Sequence, residues 1–415
     1  MNIQGRNRLF LILILGLLSA IGPFSIDMYL PGFPAIAAYM HTTVAHVSLS
    51  LSSFFIGISI GQFIYGPLLD RYGRKKPLYV GLIVYFFASA GCAFAFSADA
   101  LIILRLFQAL GACSGIVASR AMVRDLFAVQ DNAKIFSLLM LVVGVSPIIA
   151  PTLGGYITAS LGWQFIFVAL TLLACLILTA VHYALPESRP ANPDYSLRPG
   201  PIFRTYVFVF REPQFYTYVF TGSMASAGLY AYIAGSPYVF MELYKVSERQ
   251  YGWIFALIAM GLIGASQLNS VLLKTYKSEQ IIKVALLCQS ITGILLFTGT
   301  ILGWLDLFST IFFIFIFLCC QGFTFPNSSA LSLAPFAHHA GSAAALMGGI
   351  QMSIGAFTSA AVSFLNNHTA LPMTGVMACC SLTSFSVLTI GSRIIRYRAS
   401  IELVEEETAD MISAT

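Results

Sequence analysis

The sequence predicts an all-α integral membrane protein with twelve transmembrane helices in two six-helix bundles. Three observations carry this. Of 415 residues, 58% are hydrophobic and only 9% charged, against about a quarter charged in a soluble domain, so polar side chains are too few to cover a water-facing surface. No formal charge falls between Lys134 and Glu187, or between Asp306 and Arg393, and both gaps exceed the roughly 20 residues that one helical span needs. Such continuous runs exclude a β-barrel, which alternates in segments of about ten residues. Finally, Lys and Arg recur in alternate connections.

Taken in order, Gly/Pro and polar punctuation divides the chain into spans near residues 9–38, 47–68, 78–96, 100–121, 134–157 and 163–185, then 214–240, 250–272, 280–300, 307–328, 342–365 and 373–391. With a cytoplasmic N-terminus, nineteen of the 22 Lys and Arg fall on the inner side, only Lys245 and Arg249 lie outside, and Arg105 sits within a span. A missed helix would invert half of this asymmetry. The expected location is therefore a bacterial inner membrane with both termini inside. The net charge of +5 is then a membrane-topology signal and no sign of nucleic acid. Domain boundaries follow as 1–186 for the first bundle, 187–213 for a cytoplasmic linker, 214–392 for the second bundle and 393–415 for a solvated tail. Within the linker, IFRTYVFVFRE has the composition of an amphipathic helix on the membrane face. The two halves also align weakly, Gly61 with Gly261 and Arg74 with Lys274, while Asp70 faces Ser270, as in a duplicated transporter.

The N-terminal apolar run continues past any small-residue cleavage site, which predicts an uncleaved first helix. All eight cysteines fall within predicted spans, where Cys is a small apolar residue, so no disulfide or metal site is expected. His338 and His339 are adjacent and point about 100° apart on a helix, which makes a solvated pair the plain reading.

Four stretches carry polar chemistry. SIDMYLPGFP contains Asp27, the only formal charge between Arg8 and Asp70. A carboxylate at a helix centre costs roughly 2.5 to 3.5 kcal/mol, so it marks a task or a wet cavity. Pro31 and Pro34 are expected to bend the helix beyond it. LIILRLFQALGA places Arg105 about 6 Å inside the fourth span with Gln108 one turn on, on the same face. The depth of Asp27, about 4 to 17 Å, overlaps that of Arg105, so the two are candidates for coupling. GPLLDRYGRKK reads as a turn closed by Gly66 and Pro67, bent at Gly73, with Asp70 set among Arg71 and Arg74. GVSPIIAPTLGG combines Gly144, Pro147, Pro151, Gly154 and Gly155, residues that bend a helix and admit a close neighbour. Phe24 and Tyr230 are the aromatic candidates for a substrate cavity.

The order G, D, R, G, R, K after the second span resembles the signature loop of the major facilitator superfamily. SIDMYLPGFP, VRDLF, SPIIAPTLGG, GSPYVFMELY and FPNSSALSLAPFAHHAGSAAALMG together resemble its bicyclomycin/chloramphenicol resistance (Bcr/CflA) branch of drug:proton antiporters. The resemblance implies the major facilitator fold. It implies that Asp70 pairs with local arginines and faces the N-terminus of the eleventh helix near Ala340 to Gly348, forming a conformational latch with Gly66, Arg71, Gly73 and Arg74. It also implies that Arg105 helps to govern proton movement, and that the fifth helix is of antiporter rather than symporter type, although Ala150 stands where the general pattern has Gly.

The expected activity is proton-coupled export of drugs or small lipophilic compounds by alternating access, with Asp27 as the proton site. The partners are protons, a small molecule and the bilayer, and the only driving force is the proton gradient. Nothing requires more than a monomer. The alternatives are a proton-coupled symporter or an exporter of one small metabolite. An enzyme or a membrane sensor would need catalytic polar clusters or an added soluble domain.

Overall fold

A computed structural model describes residues 5–127, 129–192, 199–336 and 340–413. His338 and His339, with residues 193–198 of the linker, lie outside this set. The described chain is all-helical. In the first half, α1 spans Gly5–Asp27, a 3₁₀ turn Leu30–Gly32, α2 Phe33–Tyr39, α3 Val44–Tyr72, α4 Lys75–Ala93, α5 Ala98–Leu126, α6 Val129–Leu161 and α7 Gln164–Ala184. The linker forms α8, Pro199–Phe210. The second half has α9, Pro213–Pro237, a π turn Tyr238–Leu243, α10 Glu248–Leu272, α11 Ser278–Ile301, α12 Leu307–Leu333, α13 Ala340–Phe364 and α14 Leu371–Ser413.

Local chemistry sets the boundaries. Thr43, Ser97, Ser247 and Asp306 cap α3, α5, α10 and α12 by accepting a first-turn N–H, which satisfies donors that a helix leaves open. Gly73 ends α3 at φ +83°, a region that disfavours other residues. The helix runs through Pro67 to Tyr72, so Gly66 and Pro67 do not close it as expected. The expected bend in the first span also begins earlier: α1 ends at Asp27, and Pro31 sits inside the 3₁₀ turn.

Eleven helices among the described residues are long and apolar enough to cross a membrane. The twelfth, α9, is less apolar because it lies in the interior: Thr217, Thr221, Ser223 and Ser226 are all buried, and it packs on α12, α13 and α14. A helix surrounded by protein needs no lipid-compatible face. At the other end of the chain, the segment expected as a solvated tail continues α14 as helix to Ser413.

Within the first half α3, α4 and α5 pack together, with α1 against α5 and α6; within the second, α10, α11 and α12 do the same. Two seams join the halves, α3 against α13 and α6 against α10. Each pairs the second helix of one half with the fifth of the other, the contact that an internal two-fold produces twice. The first seam is a row of paired hydroxyls, buried except at Ser353: Ser48 with Ser363, Ser52 with Ser359 (3.0 Å) and Ser59 with Ser353 (2.8 Å). The second is a close backbone approach, discussed below.

The two ends of the molecule differ. Away from the linker, one apolar core crosses both halves, joining Met28, Leu30 and Phe33 to Val239, Phe240 and Tyr251. Towards the linker the cores separate, one drawn from the first half and two smaller ones from the second. Among the described residues, the far end is therefore sealed by a shared buried core, while the buried cores towards the linker are each drawn from one half.

Candidate functional site: buried charges beside the sealed end

Asp27 is the last residue of α1 and only 4% exposed. Among the described residues its carboxyl group makes no ion pair or hydrogen bond. The 3₁₀ turn that follows packs on α6, α9 and α10, which brings the second half over the carboxyl. Tyr232 of α9 and Tyr251 of α10 lie within electrostatic reach of it. The Tyr251 hydroxyl is bonded to Ser236 Oγ at 2.8 Å, and the buried Tyr232 hydroxyl also lies towards Ser236.

Arg105 is fully buried. Its Nη1 donates to Gln108 Oε1 (2.5 Å) and its Nη2 to the backbone oxygen of Ser25 (2.8 Å). The guanidinium carbon lies 4.2 Å from the ring centroid of Tyr29 and 4.3 Å from that of Phe54. Gln108 passes the chain on, its Nε2 donating to Ser89 Oγ at 2.8 Å. Ser25 and Tyr85 (2.7 Å) and Tyr29 and Ser50 (2.8 Å) close the surrounding hydroxyl pairs.

Arg105 and Asp27, expected to be candidates for coupling, are therefore not an ion pair. The cation is instead held at the carbonyl end of α1, where the helix dipole is negative, and between two aromatic faces. The link to Asp27 is indirect, through a backbone carbonyl two residues earlier on the same turn of helix.

The signature loop forms a second cluster at the linker end. Arg74, 5% exposed, donates from Nη1 to Asp70 (2.8 Å) and from Nε to Asp125 (2.7 Å). Glu187 accepts from the backbone N–H groups of Arg74 (2.7 Å) and Lys75 (3.1 Å), which places its charge at the N-terminus of α4. Arg189 lies 3.7 Å from Asp70. Burial works against the Arg74 charge, but hydrogen bonds and attraction from Asp125 and Asp70 outweigh it and push the guanidinium above its ordinary range. The loop thus ties α3, α5 and the start of the linker to one another. Asp70 makes no bond to α13 among the described residues, in contrast to the expected contact near Ala340 to Gly348. Arg71 bonds through its backbone oxygen to Asn192 N (3.0 Å).

In α6, four of the five expected residues have a clear structural place. Pro147 and Pro151 lie inside the helix. A side chain at Gly154 would collide with the backbone oxygen of Met28, and one at Gly155 with that of Glu248. Across the seam Gly252 matches them, since a Cβ there would lie 2.8 Å from Pro151 O. Gly144 has open space around it, so it admits no close neighbour here. Tyr230 is packed in the seam between the halves, its ring 4.8 Å from that of Phe55, and Phe24 is half-buried against the shared core.

Sequence reasoning missed Tyr232, Tyr251, Asp125 and Glu187 as partners. Asp125 stands in the VRDLF stretch and Glu187 in the first polar turn after the sixth span, so both carried a charge signal. The tyrosines carried none.

Comparison with known proteins follows from this geometry. Residues 15–360 match the profile of the Major Facilitator Superfamily. An uncharacterized MFS-type transporter, YdgK, of Bacillus subtilis is 32% identical over 91% of this chain and 94% of its own. A bicyclomycin resistance protein homolog of Haemophilus influenzae is 29% identical over 92% and 96%. Among solved structures, a D-xylose-proton symporter superposes with a TM-score of 0.74 at 14% identity, covering 92% of this chain and 97% of its own, which is a likeness of fold. The chain belongs to the major facilitator superfamily, as a multi-pass membrane transporter similar to the bicyclomycin-resistance type.

Proposed function

We propose that this protein exports drugs or small lipophilic compounds across the bacterial inner membrane in exchange for protons, by alternating access between its two halves. The observation that carries the reading is the position of Asp27, a buried carboxyl that pairs with no cation among the described residues, where the halves meet. Ionised, it is costly there; neutral, it is not. A group whose charge is tolerated only when the halves part links proton binding to the direction in which the cavity opens. The drug-resistance names of the relatives support the substrate class. On the inner-positive assignment the linker end is cytoplasmic and the sealed end faces outwards, which supports reading this arrangement as inward-facing. Arg105 and Gln108 hold α1 in register with the proton site, and the Asp70 to Glu187 cluster stiffens the inner end of the first half.

The test is drug-induced proton flux in inverted vesicles. Asp27→Asn is expected to abolish the flux for every transported compound, while drug binding to the purified variant persists. Undiminished proton release by the variant would sink the coupling. A drug-susceptibility panel in a pump-deficient host tests the substrate class, and an unchanged panel favours a dedicated metabolite.

A further inference from the structure

From the Gly73 turn α3 and α4 diverge, because each is drawn onto a different flank of α5. A Cβ at Gly57 would collide with Ala109 and one at Gly61 with Cys113, while a Cβ at Gly81 of α4 would collide with Ser114. Small residues on facing helices permit such close approach. The wedge between α3 and α4 is left open as a groove of about 460 Å³. Its lining includes Ile64, Leu68 and Tyr72 of α3, Val80 of α4 and Phe107 of α5. Ile64, Leu68 and Tyr72 recur every fourth residue, on the face of α3 opposite Ser59 and Phe63, which meet α13. The groove therefore opens away from the second half, towards the bilayer, and Ile64, Tyr72, Val80 and Phe107 are 45% or more exposed.

Lys76 lines the same groove and, among the described residues, is the single charged group to do so. From Tyr72 to Ile64 the trough runs eight residues, about 12 Å, so the cation stands at one end of an apolar channel, next to the Gly73 turn. Neighbouring basic groups are engaged elsewhere: Arg74 by Asp70 and Asp125, and Lys75 over the ring of Tyr79 at 5.7 Å. Lys76 is exposed and forms no ion pair among the described residues. An apolar trough with a cation at its inner end complements a molecule with a hydrocarbon chain and an anionic head, and basic pockets between helices on the cytoplasmic side take such head groups. We propose that the groove binds an anionic phospholipid of the inner leaflet. One acyl chain lies along Ile64, Leu68 and Val80 against Phe107, and the phosphate accepts hydrogen bonds from the Lys76 ammonium. The bound lipid wedges between α3 and α4 beside the turn that carries Asp70 and Arg74. The site is independent of the proton-coupled reading.

The experiment places the full-length protein in phosphatidylcholine nanodiscs doped with phosphatidylglycerol that carries a photoreactive diazirine on one acyl chain. Labelled peptides are mapped by mass spectrometry, and the thermal midpoint of each variant is checked. Labelling is expected to concentrate on residues 64–72, 76–84 and 107–110, and a diazirine-bearing phosphatidylcholine is expected not to concentrate there. Lys76→Gln should lower groove labelling about fivefold, the effect of one cation on an anionic lipid. Lys283→Gln, which removes an exposed basic residue of α11, should leave it unchanged. Val80→Trp, which fills the trough, should abolish it.

Labelling spread evenly over other exposed apolar faces, such as Leu172 to Leu176 of α7, would mean ordinary boundary lipid and would overturn the site. Equal labelling by both probes that Lys76→Gln leaves intact also overturns it, since the head group is then not read. Displacement of the phosphatidylglycerol probe by an exported compound, with Lys76→Gln without effect, assigns the trough to substrate and overturns the proposal as well. Should Val80→Trp fail to fold, the contrast between Lys76→Gln and Lys283→Gln decides alone.

Discussion

The two halves share a fold and two equivalent seams, yet they treat charge in opposite ways. Among the described residues, each buried charged side chain belongs to the first half: Asp27, Arg74 and Arg105. The second half buries polar side chains too, but they are neutral. Asn269 and Asn327 are paired at 2.7 Å, and Gln321 donates to Ser226 at 2.5 Å. At the positions that match Arg105 and Gln108 in helix order, α12 buries Ile314 and Phe317. The comparison teaches that one half can serve as the electrostatic element and the other as its cover. A neutral cover forms no fixed ion pair with the buried carboxyl of Asp27, so its fit changes with the charge of that group.

The largest expected break in this division is Arg105→Met, which makes the first half as neutral as the second. It leaves Ser25 O and Gln108 Oε1 without their donor, at about 1–3 kcal/mol for each orphaned acceptor. A clear fall in the thermal midpoint in detergent and complete loss of transport in vesicles are expected. An active, equally stable variant would show that the cation is dispensable. The mirror change, Gln321→Leu, sharpens the contrast. It frees one hydroxyl, Ser226, for a cost of about 1 kcal/mol, and transport rates are expected to stay within about twofold; a loss as deep as that of Arg105→Met would erase the distinction between the halves.

The smallest effect concerns a carboxylate that the second half keeps on its surface. Asp306 caps α12, and hydrogen bonds from the Ser309 hydroxyl and backbone N–H hold its carboxyl below the usual range. A lowered carboxyl stabilises the folded state above the unfolded value of about 3.9, and that contribution fades as pH falls through the folded one. Asp306→Ala should lower the thermal midpoint slightly at pH 7, and the gap to wild type should close as the solution is acidified well below pH 4. A gap that is independent of pH would assign the effect to packing.

Much of this was legible in the sequence because charge stands out in an apolar background. Asp27, Arg105 and Asp70 are conspicuous for that reason, and the alternation of basic loops carries the helix count. What failed was direction. A span gives the depth of a side chain but not its bearing around the helix axis, so equal depths suggested that Asp27 and Arg105 could couple, while packing turned the arginine to a carbonyl. The same limit hid Tyr232 and Tyr251, which look like any aromatic in a span until the opposite half is in place. Proline misled in two ways: Pro67 is absorbed within α3, and the helix break near Pro31 falls earlier, at Asp27. The low hydropathy of α9 has meaning only once its neighbours are known to be protein.

The row of serines between α3 and α13 has a mechanical consequence. A hydroxyl both donates and accepts and turns freely about one bond, so a serine that loses its opposite number on a small rotation can bond back to its own helix. Ser48 and Ser363 already contact backbone oxygens of their own helices, at Ala45 and Ser359. The joint is therefore built like a lubricated bearing: partners can be exchanged along the row without stranding a buried polar atom.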